Sequence, residues 1–165
     1  MAKAQADIAN TAVRMLLQDI GAVYDEMREL KPYGGSKDFA TVKDFFEDEC
    51  CYCGAAFGDG TRANQDHLIP INKTDLGLHA WGNVVPACQA CNSSKQGKDW
   101  RDFIVQRSNP EQAEDRYTTI QRFILEYKYA PNFELRGTTE ELYAEIGGIA
   151  STLIDAKVDR LRAMM

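Results

Sequence analysis

Five cysteines stand at positions 50, 51, 53, 88 and 91 of this 165-residue chain, and four of them form two C-x-x-C pairs, Cys50/Cys53 and Cys88/Cys91. Two such pairs can offer four thiolates to a single tetrahedral zinc ion, with Zn–S bonds of about 2.3 Å. An ion so held is coordinatively full, so its role would be structural: it ties the segment before the first pair to the segment after the second. Gly54, directly after the first pair, suits the tight turn such a knuckle needs. Cys51 is left over, because Cys51-x-Cys53 is too short a bite, and it reads as a small neighbouring residue.

A second group of chemically capable residues lies between and just after the pairs. Asp66-His67, Asn83 and Asn92, with Lys95 and Lys98 one and two turns further on, combine three kinds of group. The carboxylate of Asp66 and the amide carbonyl of Asn92 are hard oxygen ligands suited to Mg²⁺ or Mn²⁺. A neutral His67 imidazole beside them can take a proton from water near pH 7. The ammonium groups of Lys95 and Lys98 can hold phosphate oxygens. Together these are the parts required to hydrolyse a phosphodiester with one catalytic divalent metal. Asn92 has a competing reading as the N-cap of the helix after the second knuckle. His79, near Trp81 in the intervening loop, reads as a solvated loop residue with a helper role as the alternative. Arg62 and Lys73 are weaker candidates for contacts to a nucleic-acid backbone.

The elements that must carry these residues follow from periodicity and punctuation. Val13, Leu16, Leu17, Ile20, Tyr24, Met27 and Leu30 recur at three- and four-residue steps, predicting a helix over 4–30 that stops before Pro32. A short helix is expected over 41–49. In the centre, 67–71 and 83–86 read as short strands, each with a proline that suits a terminal or edge position. They are joined by a loop and followed by a helix from Cys88. Further helices are expected from Asp99 to about Arg107, from the Asn109-Pro110 pair to about Tyr129, and from a Thr138/Glu141 capping box onward, with a break or kink near Gly147-Gly148. Trp100, Phe103, Tyr117, Phe123 and Tyr127 have helical spacing and are expected in the core. The fold class is therefore α+β, a small zinc-stapled strand–strand–helix core surrounded by additional α-helices. It divides into an N-terminal helical extension (1–43), a core (44–105) and a C-terminal helical extension (106–165).

Composition narrows the function classes. The chain is 44% hydrophobic and 27% charged, which favours a packed globular domain over a disordered or collagenous chain. The start of the sequence lacks an apolar signal-peptide core, so a cytoplasmic protein with no membrane association is expected. The net charge of −6 argues against long-range steering to DNA, yet residues 62–101 carry five Lys/Arg against three Asp/Glu and form the one positive stretch.

The ordered series Cys50-x-x-Cys53-Gly54, Asp66-His67-Leu68-Ile69-Pro70, Trp81-Gly82-Asn83-Val84-Val85-Pro86-Ala87-Cys88-x-x-Cys91-Asn92-x-x-Lys95 resembles the HNH endonucleases, the zinc-stapled branch of the ββα-metal nucleases. The resemblance covers about residues 44–105. It implies that His67 is the general base activating water and that Asp66 and Asn92 hold the catalytic divalent ion. It further implies that Asn83 orients the base through the inter-strand loop, and that Cys50, Cys53, Cys88 and Cys91 hold structural Zn²⁺. It implies DNA as the partner, with RNA not excluded, and products bearing 5′-phosphate and 3′-hydroxyl ends. A homodimer or a partner protein could use the flanking helices, and two copies would be needed to cut both strands promptly. The alternative readings are a non-catalytic zinc-stabilised module binding nucleic acid or protein, and a nuclease effector subunit of a defence complex.

Overall fold

Proline, glycine and left-handed backbone positions punctuate the chain. The computed structural model describes residues 3–58, 60–131, 134–162 and 164. In these, the order is α1 (Lys3–Met27), α2 (Gly35–Phe45), β1 (Ala63–His67), β2 (Val84–Cys88), α3 (Gln89–Lys95), α4 (Trp100–Arg107), α5 (Pro110–Glu126) and α6 (Arg136–Arg162). Among the described residues, no helix is long and apolar enough to cross a membrane.

Several boundaries differ from the sequence expectation for identifiable reasons. α1 ends at Met27, because Arg28 and Leu30 both donate back to the Asp25 carbonyl at 3.0 Å and Glu29 turns left-handed at φ 60°. α2 begins at Gly35, six residues before the expected start. The Asp38 carboxylate accepts from the backbone N–H of its N-cap, Gly34, at 2.8 Å. Left-handed Glu47 and Asp48 then separate α2 from the first knuckle. The Asn109-Pro110 start holds: the Asn109 side chain accepts from Gln112 N at 3.0 Å and Pro110 opens α5. The expected capping box at Thr138 lies inside α6, where Thr139 Oγ1 instead bonds back to the Leu135 and Arg136 carbonyls, and α6 runs on through Gly147-Gly148 without interruption.

The two strands form an antiparallel pair with Asp66 opposite Val85 and His67 opposite Val84. β2 lies close to its expected place, but β1 ends at His67 where the sequence reading had it begin. Pro70 has no N–H to give a ladder. The Asn83 side chain takes both backbone groups of Ile69, so the chain after His67 is held by an amide rather than by strand pairing.

The core has two parts. One packs the Cys-rich segment and β2 against α2, α4 and α5, burying Val42, Phe46, Tyr52, Val84, Phe103 and Phe123. The other sets Val13, Leu17 and Tyr24 of α1 against Leu78, Ala80 and Tyr129, with α6 packed along α1. Of the aromatic residues expected inside, Trp100, Phe103 and Phe123 are buried, whereas Tyr117 is 39% exposed and stacks on Trp100. Asp25 joins the two parts. Its fully buried carboxylate accepts from the backbone N–H groups of Tyr33 (2.8 Å) and Trp81 (3.2 Å) and from the Arg28 guanidinium. Arg28 also donates to the Tyr127 and Trp81 carbonyls and lies 4.0 Å over the Tyr24 ring. Burial pushes the Asp25 carboxyl up, and these donors oppose the shift. Removing one member of a buried pair leaves the other uncompensated, so Asp25→Ala should cost about 3–5 kcal/mol in denaturant unfolding. A loss within experimental error of zero would show that this junction is not under load.

Candidate metal centre and Asp-His site

The four knuckle sulfurs converge. Cys50 and Cys53 bracket a turn closed by Gly54 N–H on the Cys50 carbonyl at 2.9 Å, while Cys88 ends β2 and Cys91 sits in the first turn of α3. Gly54 has φ +71°, and a Cβ there would fall 2.5 Å from the Arg116 guanidinium. All four Sγ atoms lie within 4.8 Å of one another, and Cys53 and Cys88 are 3.8 Å apart. A tetrahedron with metal–sulfur bonds of about 2.3 Å has sulfur–sulfur edges of about 3.8 Å. The cluster is therefore compatible with a zinc ion. Cys51 faces the core instead. Its N–H donates to the Pro86 carbonyl at 2.9 Å, and burial together with the Cys50 charge pushes its thiol well up.

Asp66 and His67 occupy the last two positions of β1. Asp66 Oδ2 accepts from the Tyr52 hydroxyl at 2.7 Å and lies 3.7 Å from Lys95 Nζ. Burial raises the Asp66 carboxyl, with Lys95 and Tyr52 pulling the other way. Burial likewise lowers Lys95, against the charge of Asp66. Lys95 Nζ also donates to the His67 carbonyl at 2.7 Å and is 0% exposed. The expectation that Lys95 meets a phosphate is thus at odds with its place in the fold: it is an internal strut between α3 and the end of β1.

Asn92 is half-buried in the interior of α3, whose N-cap position is Cys88, so its side chain does not stand at the cap. It stands three residues before Lys95, on the same helix face. Asn83 is fully buried in the inter-strand loop. Its Nδ2 donates to the Ile69 (3.0 Å) and Leu78 (2.8 Å) carbonyls, and its Oδ1 accepts from Ile69 N at 2.8 Å. Asn83→Ala would strand three backbone groups at about 1–3 kcal/mol each. The expected result is a lower Tm with selectively faster amide exchange at Ile69, and unchanged exchange there would refute the clamp.

His67 Nε2 lies 2.9 Å from His79 Nδ1. His67 is pushed down to about 3 by burial, with His79, Lys95 and Arg14 adding to the effect, so it is neutral. His79, also lowered by burial, is therefore a partner of His67 rather than the solvated residue favoured by the sequence reading. Its place depends on α1: a Cβ on Gly21 would fall 2.4 Å from the His79 carbonyl oxygen, so only a glycine lets helix and loop touch. Lys98 is exposed on the rim of a cleft of about 280 Å³, shared with Leu68, Asp75 and Trp100. Arg62 is exposed at the other end of β1. Lys73 Nζ sits 3.7 Å over the Tyr143 ring of α6.

Tyr52, which meets Asp66, and Arg14, whose charge acts on His67, are site neighbours that motif reading passed over, whereas His79 was weighed there with a helper role as the alternative. His79 left one trace, as the second of two histidines and four residues before Asn83. Tyr52 and Arg14 reach the site through tertiary packing and left none.

A two-stranded antiparallel ribbon thus runs straight into a helix, its first strand ends on Asp-His, and four cysteine sulfurs that could hold a metal ion converge beside it. Residues 50–98 match the family model described as HNH endonuclease, and the chain carries an HNH domain there. A protein of Bacillus subtilis (strain 168) named as an SPbeta prophage-derived HNH endonuclease is 29% identical over 93 residues, which is 52% of this chain and 39% of that protein. The chain thus matches about two fifths of the length of that relative. No solved structure matches the chain.

Proposed function

We propose that this protein is a metal-dependent endonuclease that hydrolyses phosphodiester bonds in DNA, with His67 as general base and the four cysteines holding structural zinc. The observation that carries the reading is the placement of His67. Its neutral ring stands at the end of β1 beside Asp66, and its main chain is fixed by Lys95 from α3. Asp66 and Asn92 are the residues that would hold a catalytic Mg²⁺ or Mn²⁺. Their donor atoms are oxygens, as such ions prefer, and Asn92 shares a helix face with the lysine that meets Asp66. A divalent ion there would polarise the scissile phosphate and stabilise charge on the leaving oxygen.

The chain's own residues do the rest. Tyr52 and Lys95 fix the Asp66 carboxylate, Asn83 holds both ends of the loop that follows His67, and His67 removes a proton from the attacking water. Exposed Lys98 is the leading candidate for a phosphate contact, with exposed Arg62 a weaker one. The expected products carry 5′-phosphate and 3′-hydroxyl ends.

Supercoiled plasmid incubated with the zinc-loaded protein should be converted to nicked circles with Mg²⁺ or Mn²⁺ and remain intact with chelator. One site accommodates one scissile phosphate, so linear product should lag behind nicked circles. Absence of cleavage with either ion by fully zinc-loaded protein would defeat the proposal and favour a binding module.

A further inference from the structure

The loop between β1 and β2 carries the second of the chain's two histidines, and neither the thiol cluster nor the Asp66–Asn92 pair uses it. His79 Nδ1 is 2.9 Å from His67 Nε2, with ring centroids 5.2 Å apart. Its surroundings are built. The His79 carbonyl abuts Gly21 of α1, and the Tyr33 ring stands edge-on to the imidazole at 5.1 Å. The preceding residue, Leu78, is held at both ends, its N–H by the Tyr129 hydroxyl at 3.0 Å and its carbonyl by Asn83 at 2.8 Å.

A neutral imidazole has one N–H and one lone pair, and the hydrogen bond made at one nitrogen decides what the other presents. If His67 donates from Nε2, its Nδ1 carries a lone pair and can take a proton. If it accepts at Nε2, Nδ1 carries the hydrogen and the ring cannot act as a base. We infer that His79 is a positioning residue: its Nδ1 accepts the Nε2 hydrogen of His67 and holds that ring in the tautomer whose Nδ1 takes the proton of the attacking water. The inference rests on the nuclease reading above. In the step itself an O–H bond of water breaks as N–H forms at His67 Nδ1, and the oxygen keeps the electron pair with which it attacks phosphorus. The bond from phosphorus to the 3′-oxygen breaks, and that oxygen leaves with its electron pair, to be protonated by solvent. The Nε2 hydrogen stays on His67, so His79 exchanges no proton and stabilises the imidazolium through the bond it already makes.

With two histidines in the chain, ¹⁵N-histidine-labelled full-length protein yields two imidazole systems, and long-range ¹H–¹⁵N correlations report each tautomer without substrate. His79→Leu removes the acceptor at similar volume, whereas His79→Asn keeps an acceptor oxygen near the place of Nδ1. The expected result is His67 in the Nε2–H form in wild-type protein, with that preference lost in His79→Leu. The Leu variant should lose about 10–100-fold in kcat with KM unchanged, and His79→Asn should recover most of the loss. Finding the His67 proton on Nδ1 in wild-type protein overturns the inference. So does a His79→Leu variant that cleaves at the wild-type rate, or a His79→Asn variant as slow as His79→Leu. A wild-type protein that cuts no DNA would remove the nuclease reading instead, and the tautomer measurement would still decide what His79 does.

Discussion

His67→Ala should lower the rate of metal-dependent cleavage by about 10²–10⁴-fold, the usual contribution of a positioned general base, while leaving the fold in place. The links that hold this position in the structure are largely main-chain: its carbonyl accepts from Lys95, and its backbone pairs with Val84. The side chain gives up one hydrogen bond, to His79. Thermal unfolding and zinc content should therefore stay near wild type while kcat on a plasmid or oligonucleotide substrate collapses. Cleavage by the variant at an unchanged rate would end the assignment. The acid side of the pH profile offers an independent check. His67 is held down at about 3, so it stays in its basic form throughout the neutral range, whereas burial raises Asp66. Acidification should then inactivate by protonating Asp66, the proposed metal ligand, and raising the divalent-ion concentration should move the acid limb to lower pH. An acid limb indifferent to ion concentration would place the titration on His67.

Loss of the thiol cluster should be the most damaging structural change. β1, β2 and α3 form a very small unit; β1 has no fully buried residue, and Cys88 and Cys91 join β2 to α3. Structural zinc binding by such sets contributes about 10–16 kcal/mol in isolated finger peptides, which matches or exceeds the total stability of about 5–15 kcal/mol typical of a domain. Cys88→Ser, or prolonged treatment with a strong chelator, should therefore remove one equivalent of zinc and unfold the centre of the chain, seen as a large fall in Tm and loss of amide protection across residues 63–95. Cys51→Ala is the matched control. It should keep one zinc per chain, because the Cys51 sulfur lies outside the four-cysteine cluster. Equal Tm values with and without metal would mean that the cluster does not staple the fold.

What could be read from the sequence was what is local. The C-x-x-C spacings, the Asp66-His67 pair and the Asn109-Pro110 helix start depend on residues a few positions apart, and the thiol cluster and the helix start appear as expected. Lys95 was misjudged because nothing near it in sequence shows that Asp66, 29 residues earlier, and the His67 carbonyl enclose its ammonium. His79 was misjudged for the same reason: its partner and the α1 glycine that seats it come from distant parts of the chain. The strand register went wrong at Pro70, where a buried asparagine replaces a ladder that the apolar run Leu68-Ile69 had suggested. Asp25 carries no chemical motif at all. Its importance lies in joining the turn after α1 to the Trp81 loop.

The contact between Gly21 and the His79 carbonyl sets the amino-terminal helix against the loop that carries the partner of His67. A gene-fusion or domain-shuffling event that carried off only residues 50–98 would therefore inherit the motif without the surface that seats its second histidine. A recombinant chimera that swaps α1 should keep its partner loop in register only when a glycine faces that carbonyl, so the hereditary unit of this site is longer than its signature.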